Sequence, residues 1–126
     1  MADNINKKVL IVEDDKDFRF ILQINFGKEG FSVVTAENGE QGLSLVEKEK
    51  PDLIILDILM PIMDGIEMAK QVKQKGINIP IVFLTNMSDI DHISQAQEIV
   101  LSDYIIKSDV SVEKIVAVAK TKLGIK

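Results

Sequence analysis

The chain has 126 residues, 46% of them hydrophobic, which suits one domain with one core that folds without disulfides or structural metals. It has no cysteine, which excludes a disulfide framework and thiolate chemistry and fits a reducing, cytoplasmic setting. The net charge of −5, with no basic block beyond Lys7-Lys8, argues against direct nucleic-acid binding, and no signal-peptide core or bilayer-length apolar run argues for a membrane.

Strand-like and helix-like segments alternate along the chain. Val9-Leu10-Ile11-Val12 is a continuous apolar run, the pattern of a strand buried on both faces, and Glu13-Asp14-Asp15 follows at once. From Asp17 to Lys28, the residues Phe18, Ile21, Leu22 and Phe26 fall at helical spacing, and Gly30 ends that helix. Phe31 to Thr35 reads as strand two. Asn38-Gly39 is a turn signal, and Glu40 to Lys50 is a second helix carrying Leu43, Leu45 and Val46 before Pro51.

Leu53-Ile54-Ile55-Leu56 is a third buried strand ending at Asp57. Gly65 to Lys75 is a third helix with Ile66, Ala69 and Val72 inward and Gly76 as its stop. Ile81 to Thr85 is strand four. A fourth helix is expected from Asp89 to about Val100, with Ile90, Ile93, Ala96 or Gln97, and Val100 inward. Tyr104-Ile105-Ile106 is strand five, ending at Lys107. Ser111 caps a fifth helix whose core stripe is Val112, Ile115 or Val116, Ala119 and Leu123.

This (βα)5 pattern with short connections predicts an α/β, doubly wound parallel sheet of flavodoxin-like type, with strand order 2-1-3-4-5. In such sheets the working crevice lies outside the carboxyl ends of the strands. Those ends carry Glu13-Asp14-Asp15, Asp57, Thr85 and Lys107. Carboxylates gathered there repel one another unless a cation sits among them, and all-oxygen ligation suits Mg²⁺. A divalent cation, a lysine and a hydroxyl around one carboxylate make a phosphoryl-transfer site in which the carboxylate is the nucleophile.

Taken singly, each residue has a plainer structural reading. Acids after a strand serve as helix N-caps, Asp57 as a turn former, Thr85 as a β-branched strand residue, and Lys107 as a snorkelling surface lysine. His92, the one histidine, reads as a helix-surface residue. The functional case rests on the conjunction at successive strand ends.

The arrangement resembles the receiver domain of two-component response regulators, from about Lys8 to Leu123. Asp57-Ile58-Leu59-Met60-Pro61-Ile62-Met63-Asp64-Gly65 is similar to the family's D-x-x-M-P-x-x-D-G signature, and Val12-Glu13-Asp14-Asp15 to its acidic motif after strand one. The resemblance implies that Asp57 accepts a phosphoryl group from a sensor histidine kinase, a phosphotransfer protein or a small phosphodonor. It implies Mg²⁺ held by Asp14, Asp57, the Leu59 backbone carbonyl and waters, with Glu13 in support. Lys107 then offsets phosphoryl charge, Thr85 shifts to bond the phosphoryl group, and Tyr104 turns inward as the switch aromatic. Output passes through the face formed by the fourth helix, fifth strand and fifth helix, to a downstream protein or to a second copy as a homodimer.

The chain departs from the family pattern at three places. Ser108 follows Lys107 where a cis proline is usual, Asn86 follows Thr85 where a small residue is usual, and Val100-Leu101 replaces Gly-Ala before strand five. Leu59 and Met87 occupy positions that tune phosphoryl loss; both are apolar and cannot orient water, so a long-lived aspartyl phosphate is expected.

Two other function classes remain on the residues. A haloacid-dehalogenase-like phosphatase needs an acid two residues after the nucleophile, where this chain has Leu59. A phosphorylation-independent interaction module on the same fold has no need of the acidic pair, Asp57 and Lys107 together. A flavin site needs a donor-rich loop after strand one, and here that loop is acidic. The expectation is therefore a signalling phospho-switch, not an enzyme acting on a separate substrate. It forms a single receiver domain over residues 1–126, either free-standing or part of a longer regulator.

Overall fold

The computed structural model describes residues 5–86, 103–107 and 110–125. The fourth helix expected from Asp89, and with it His92, Met87, Val100-Leu101 and Ser108, lies outside those residues. The elements in chain order are β1 (Lys8–Val12), α1 (Lys16–Lys28), β2 (Ser32–Ala36), α2 (Gly39–Glu49), β3 (Leu53–Asp57), α3 (Gly65–Gln74), β4 (Ile81–Thr85), β5 (Asp103–Ile106) and a C-terminal helix (Val112–Lys122). Each strand predicted from its apolar run forms, with ends shifted by a residue in β1, β2, β3 and β5.

The strands make one parallel sheet in the order β2-β1-β3-β4-β5, as the alternation of elements predicts. Side chains alternate across each strand, so the central apolar runs feed two cores. Leu10, Val12, Ile54, Leu56, Ile81 and Phe83 face Val46 of α2 and Ile66, Met68, Ala69 and Val72 of α3. Val9, Ile11, Leu53, Ile55, Val82 and Leu84 face Leu22 and Phe26 of α1 and Ile115, Val116 and Ala119 of the C-terminal helix. Fully burying one such side chain contributes about 1.5–3 kcal/mol, and truncating Phe83 to alanine costs about 3–5 kcal/mol. This double-sided cover holds the carboxyl ends of β1, β3, β4 and β5 in fixed register.

Polar side chains start each described helix. Asp15 accepts from the amides of Asp17 and Phe18, Asn38 from Gln41, Asp64 from Glu67, and Ser111 from Lys114. Each cap satisfies amides that the first turn leaves without partners. Asn38-Gly39 is thus a helix start rather than a free turn. Gly30 and Gly76 take positive φ, as expected of residues that end helices, whereas Lys50 itself closes α2 in the left-handed region. One position of the α1 stripe is corrected. Leu22 and Phe26 are fully buried, but Ile21 is 44% exposed, because the sheet takes the helix face centred on Leu22 and Phe26 and leaves its neighbour outward. Among the described residues no helix is long and apolar enough to cross a membrane.

Candidate functional site

Register brings the strand ends together. Val12 pairs with Leu56, so Glu13 leaves β1 level with Asp57. Asp57 pairs with Leu84, and Thr85 pairs with Ile106, so Thr85 and then Lys107 each stand one residue further along. The carboxyl edge thereby presents Glu13, Asp57, Thr85 and Lys107 in spatial sequence. Glu13 and Thr85 are fully buried and Asp57 is 4% exposed, which is unusual for two carboxylates without cations around them.

Among the described residues, the side-chain cation paired with both is Lys107. Its Nζ lies 2.7 Å from Glu13 Oε1 and 3.2 Å from Asp57 Oδ1, so one ammonium bridges both acids. It does not snorkel, as an isolated lysine at a strand end would. Asp57 Oδ1 also accepts from the Ile58 amide at 2.9 Å. Burial, then the charge of Glu13, push the Asp57 carboxyl up to about 8, against the pull of Lys107. Burial works to lower Lys107, but its bond to Glu13 and the charges of Asp57 and Glu13 outweigh that and raise it. Lys107 therefore does not hold the Asp57 carboxyl in the usual carboxylate range, chiefly because burial disfavours its charged form.

The acidic run after β1 divides its labour. Glu13 points into the sheet end, and its Oε2 accepts from the Asp15 amide at 3.0 Å. Asp14 is exposed beside it. Asp15 turns the other way and caps α1. The N-cap reading of these acids thus holds for Asp15 and not for its two neighbours. Carboxylate oxygens of Glu13, Asp14 and Asp57 all lie within 4.8 Å of one another. Three hard oxygen donors gathered this closely fit a small divalent cation such as Mg²⁺.

The remaining predicted residues are placed as follows. Thr85 ends β4 with its hydroxyl donating to the Asn86 carbonyl at 3.2 Å. Tyr104 lies on β5, 40% exposed. Leu59, whose carbonyl the resemblance assigns to the metal, follows Asp57 in the β3–α3 loop with its side chain 46% exposed.

Three groups shape the site in ways the sequence did not specify. Arg19 Nη1 donates to the Glu13 carbonyl at 2.8 Å and so pins the β1–α1 loop. The Phe18 ring lies 5.3 Å from Lys107 Nζ, centroid to nitrogen. Asp64 and Gly65 close the β3–α3 loop: the Gly65 amide donates to the Ile58 carbonyl at 2.8 Å while Asp64 caps α3. Of these, Asp64-Gly65 was legible as the end of the D-x-x-M-P-x-x-D-G segment, and the Asp-x-x-Glu spacing of Asp64 and Glu67 marks the helix start.

Comparison with known proteins identifies the family. Residues 9–120 match the family described as response regulator receiver domain. The alkaline phosphatase synthesis transcriptional regulatory protein PhoP of Bacillus subtilis is 46% identical over 81 residues, which are 64% of this chain and 34% of that protein. Sporulation initiation phosphotransferase F of the same organism is 41% identical over 95 residues, 75% of this chain and 77% of that protein. This chain thus spans about a third of the first relative and about three quarters of the second. The receiver domain of Francisella response regulator 1452 superposes with a TM-score of 0.76 at 27% identity, covering 89% of this chain and 92% of that one. A CheY-like receiver domain protein from Methanospirillum hungatei JF-1 superposes with a TM-score of 0.87 over 94% of each chain, and at 24% identity it speaks for the fold. The chain belongs to the receiver domains of two-component response regulators.

Proposed function

We propose that Asp57 is the phosphoacceptor of this receiver domain, that Mg²⁺ is its cofactor, and that Lys107 and Thr85 bind the transferred group. The observation that carries this reading is the Lys107 ammonium held between Glu13 and Asp57, at 2.7 and 3.2 Å, at the buried end of the sheet. A cation already beside the nucleophilic oxygen stands where a phosphoryl oxygen would need it.

Asp57 Oδ attacks phosphorus in line with the donor bond. With a phosphohistidine donor, a P–O bond forms at Asp57, the P–N bond breaks, and its electron pair stays on the imidazole, which takes a proton. With an acyl phosphate donor the departing pair stays on a carboxylate and no proton is needed. Asp14, Glu13, Asp57 and the Leu59 carbonyl would hold Mg²⁺. When bound, Mg²⁺ supplies positive charge against the oxygens of the transferring group. Lys107 changes partner from the Asp57 carboxylate to a phosphoryl oxygen. Leu59 lacks a proton to give to a leaving group, which favours a stable phospho-switch over a turning-over phosphatase.

The switch residues are Thr85, at the end of β4, and Tyr104, half out of the fold on β5. Turning Tyr104 inward would repack the face around β5 and the C-terminal helix and so change affinity for a protein target or a second copy. The donor is a sensor histidine kinase or phosphotransfer protein in the cytoplasm, and residues 1–126 act as a single receiver domain. The test is intact-mass measurement after acetyl phosphate treatment, with and without Mg²⁺. One phosphoryl adduct that needs Mg²⁺ supports the reading; no adduct, or one indifferent to Mg²⁺, contradicts it.

A further inference from the structure

We propose that Phe18 is a positioning residue for Lys107, holding the ammonium in place through the face of its ring; this rests on the role of Lys107 set out above. Lysine is a flexible point charge with three rotatable donors, and its long side chain loses considerable freedom when fixed. Glu13 and Asp57 hold the ammonium of Lys107 at 2.7 and 3.2 Å. The Phe18 ring lies 5.3 Å from the same nitrogen, within reach of cation–π attraction. The lysine side chain is only 19% exposed, so this attraction is less screened than at an open surface.

The ring is itself well anchored. Phe18 stands in the first turn of α1, where its amide is capped by Asp15 at 3.3 Å, and it packs against the core that contains Leu22 and Phe26. The next residue, Arg19, ties the same turn to the Glu13 carbonyl. The first turn of α1 therefore positions two partners of Lys107 at once, the Glu13 carboxylate and the Phe18 ring. An aromatic face has a further property that suits this place. It attracts the cation without offering a hydrogen-bond acceptor, so it leaves the N–H groups of Lys107 available to oxygens of an incoming phosphoryl group.

The experiment is phosphorylation of the full chain by acetyl phosphate at saturating Mg²⁺, with the initial rate read by intact mass. A small donor needs no protein interface, so loss of docking cannot produce the result. Phe18→Leu keeps an apolar side chain but removes the ring, and the rate is expected to fall about two- to five-fold, the size of one such cation–π contact. Phe18→Tyr keeps the ring and is expected to retain the parent rate. In a Lys107→Met background Phe18→Leu is expected to have no further effect. Equal rates for Phe18→Leu and the parent overturn the proposal. So does an equal fall in Phe18→Leu and Phe18→Tyr, or a fall that persists without Lys107. Failure of the parent itself to label, or equal labelling of Asp57→Asn, overturns the phosphoacceptor reading instead.

Discussion

Gly65 approaches the main chain of Asp57 so closely that a Cβ at Gly65 would lie 2.1 Å from the Asp57 carbonyl oxygen. The contact is with backbone, which cannot swing aside as a side chain can. The start of α3 is thus packed directly on the residue that carries the site. Gly65→Ala is expected to shift the β3–α3 loop and lower stability by about 1–3 kcal/mol, the usual scale of overpacking. Urea unfolding midpoints check this. A midpoint equal to the parent's would mean that the loop absorbs the methyl group without moving.

Ile62 offers the opposite case. It takes φ 70°, a region that costs a β-branched residue energy, and the Met63 amide donates to the Pro61 carbonyl at 2.7 Å across it. Its side chain is 76% exposed and so gains little from burial. Ile62→Gly is expected to raise stability by about 1 kcal/mol, since relief of strain exceeds the added freedom of the unfolded chain. Thermal unfolding checks the sign, and a lower midpoint for the glycine variant would count against strain at this position.

The acidic run after β1 should separate under mutation. Asp15→Ala removes the cap of α1 and is expected to cost about 1 kcal/mol of stability while leaving Mg²⁺ affinity near the parent's. Asp14→Ala is expected to do the reverse, weakening Mg²⁺ binding at least about ten-fold with little change in stability, because an exposed carboxylate contributes ligation more than packing. Calorimetric Mg²⁺ titration with urea unfolding of both variants gives the comparison. Similar losses of affinity in the two would remove the distinction between cap and ligand.

The fold was readable because strands buried on both faces are apolar runs, and Val9–Val12, Leu53–Leu56 and Ile81–Leu84 have little else to be. The site was readable one level down, because the residue leaving each such strand lands on one edge. Side-chain direction was not readable. Nothing in the run Glu13-Asp14-Asp15 says that the first goes inward, the second stays at the rim and the third turns back to cap a helix; that follows from the path of the β1–α1 loop, pinned by Arg19. The outward turn of Ile21 depends on which face of α1 the sheet accepts. The Phe18–Lys107 contact joins the first turn of α1 to the end of β5, residues far apart in the chain that only the packing of α1 on the sheet brings together. The positive φ of Ile62 has no signature in its residue type.

The buried acids also set how stability responds to pH without metal. The Asp57 carboxyl is raised from an ordinary value of 3.8 to about 8, so the folded state binds a proton that the unfolded state has lost. Stability from this group is complete below about pH 4, falls as pH rises, and is gone above about pH 8. In chelator, Asp57→Asn is therefore expected to exceed the parent in stability, by on the order of 2 kcal/mol above pH 8 and progressively less toward pH 4. Saturating Mg²⁺ is expected to narrow that gap by stabilising the parent. Urea unfolding across this pH range is the measurement, and a parent more stable than Asp57→Asn at pH 8 in chelator contradicts it.

On the proposed function, the phosphoryl group goes to the carboxylate of Asp57. An aspartyl phosphate is an acyl phosphate, so borohydride reduces it to the alcohol and converts that one aspartate to homoserine. Peptide mass mapping after acetyl phosphate, Mg²⁺ and borohydride is expected to find homoserine at position 57 alone, with Asp14, Asp15 and Asp64 unchanged. Conversion at another aspartate with Asp57 intact, or a phosphoryl adduct that survives borohydride, would exclude Asp57 as the acceptor.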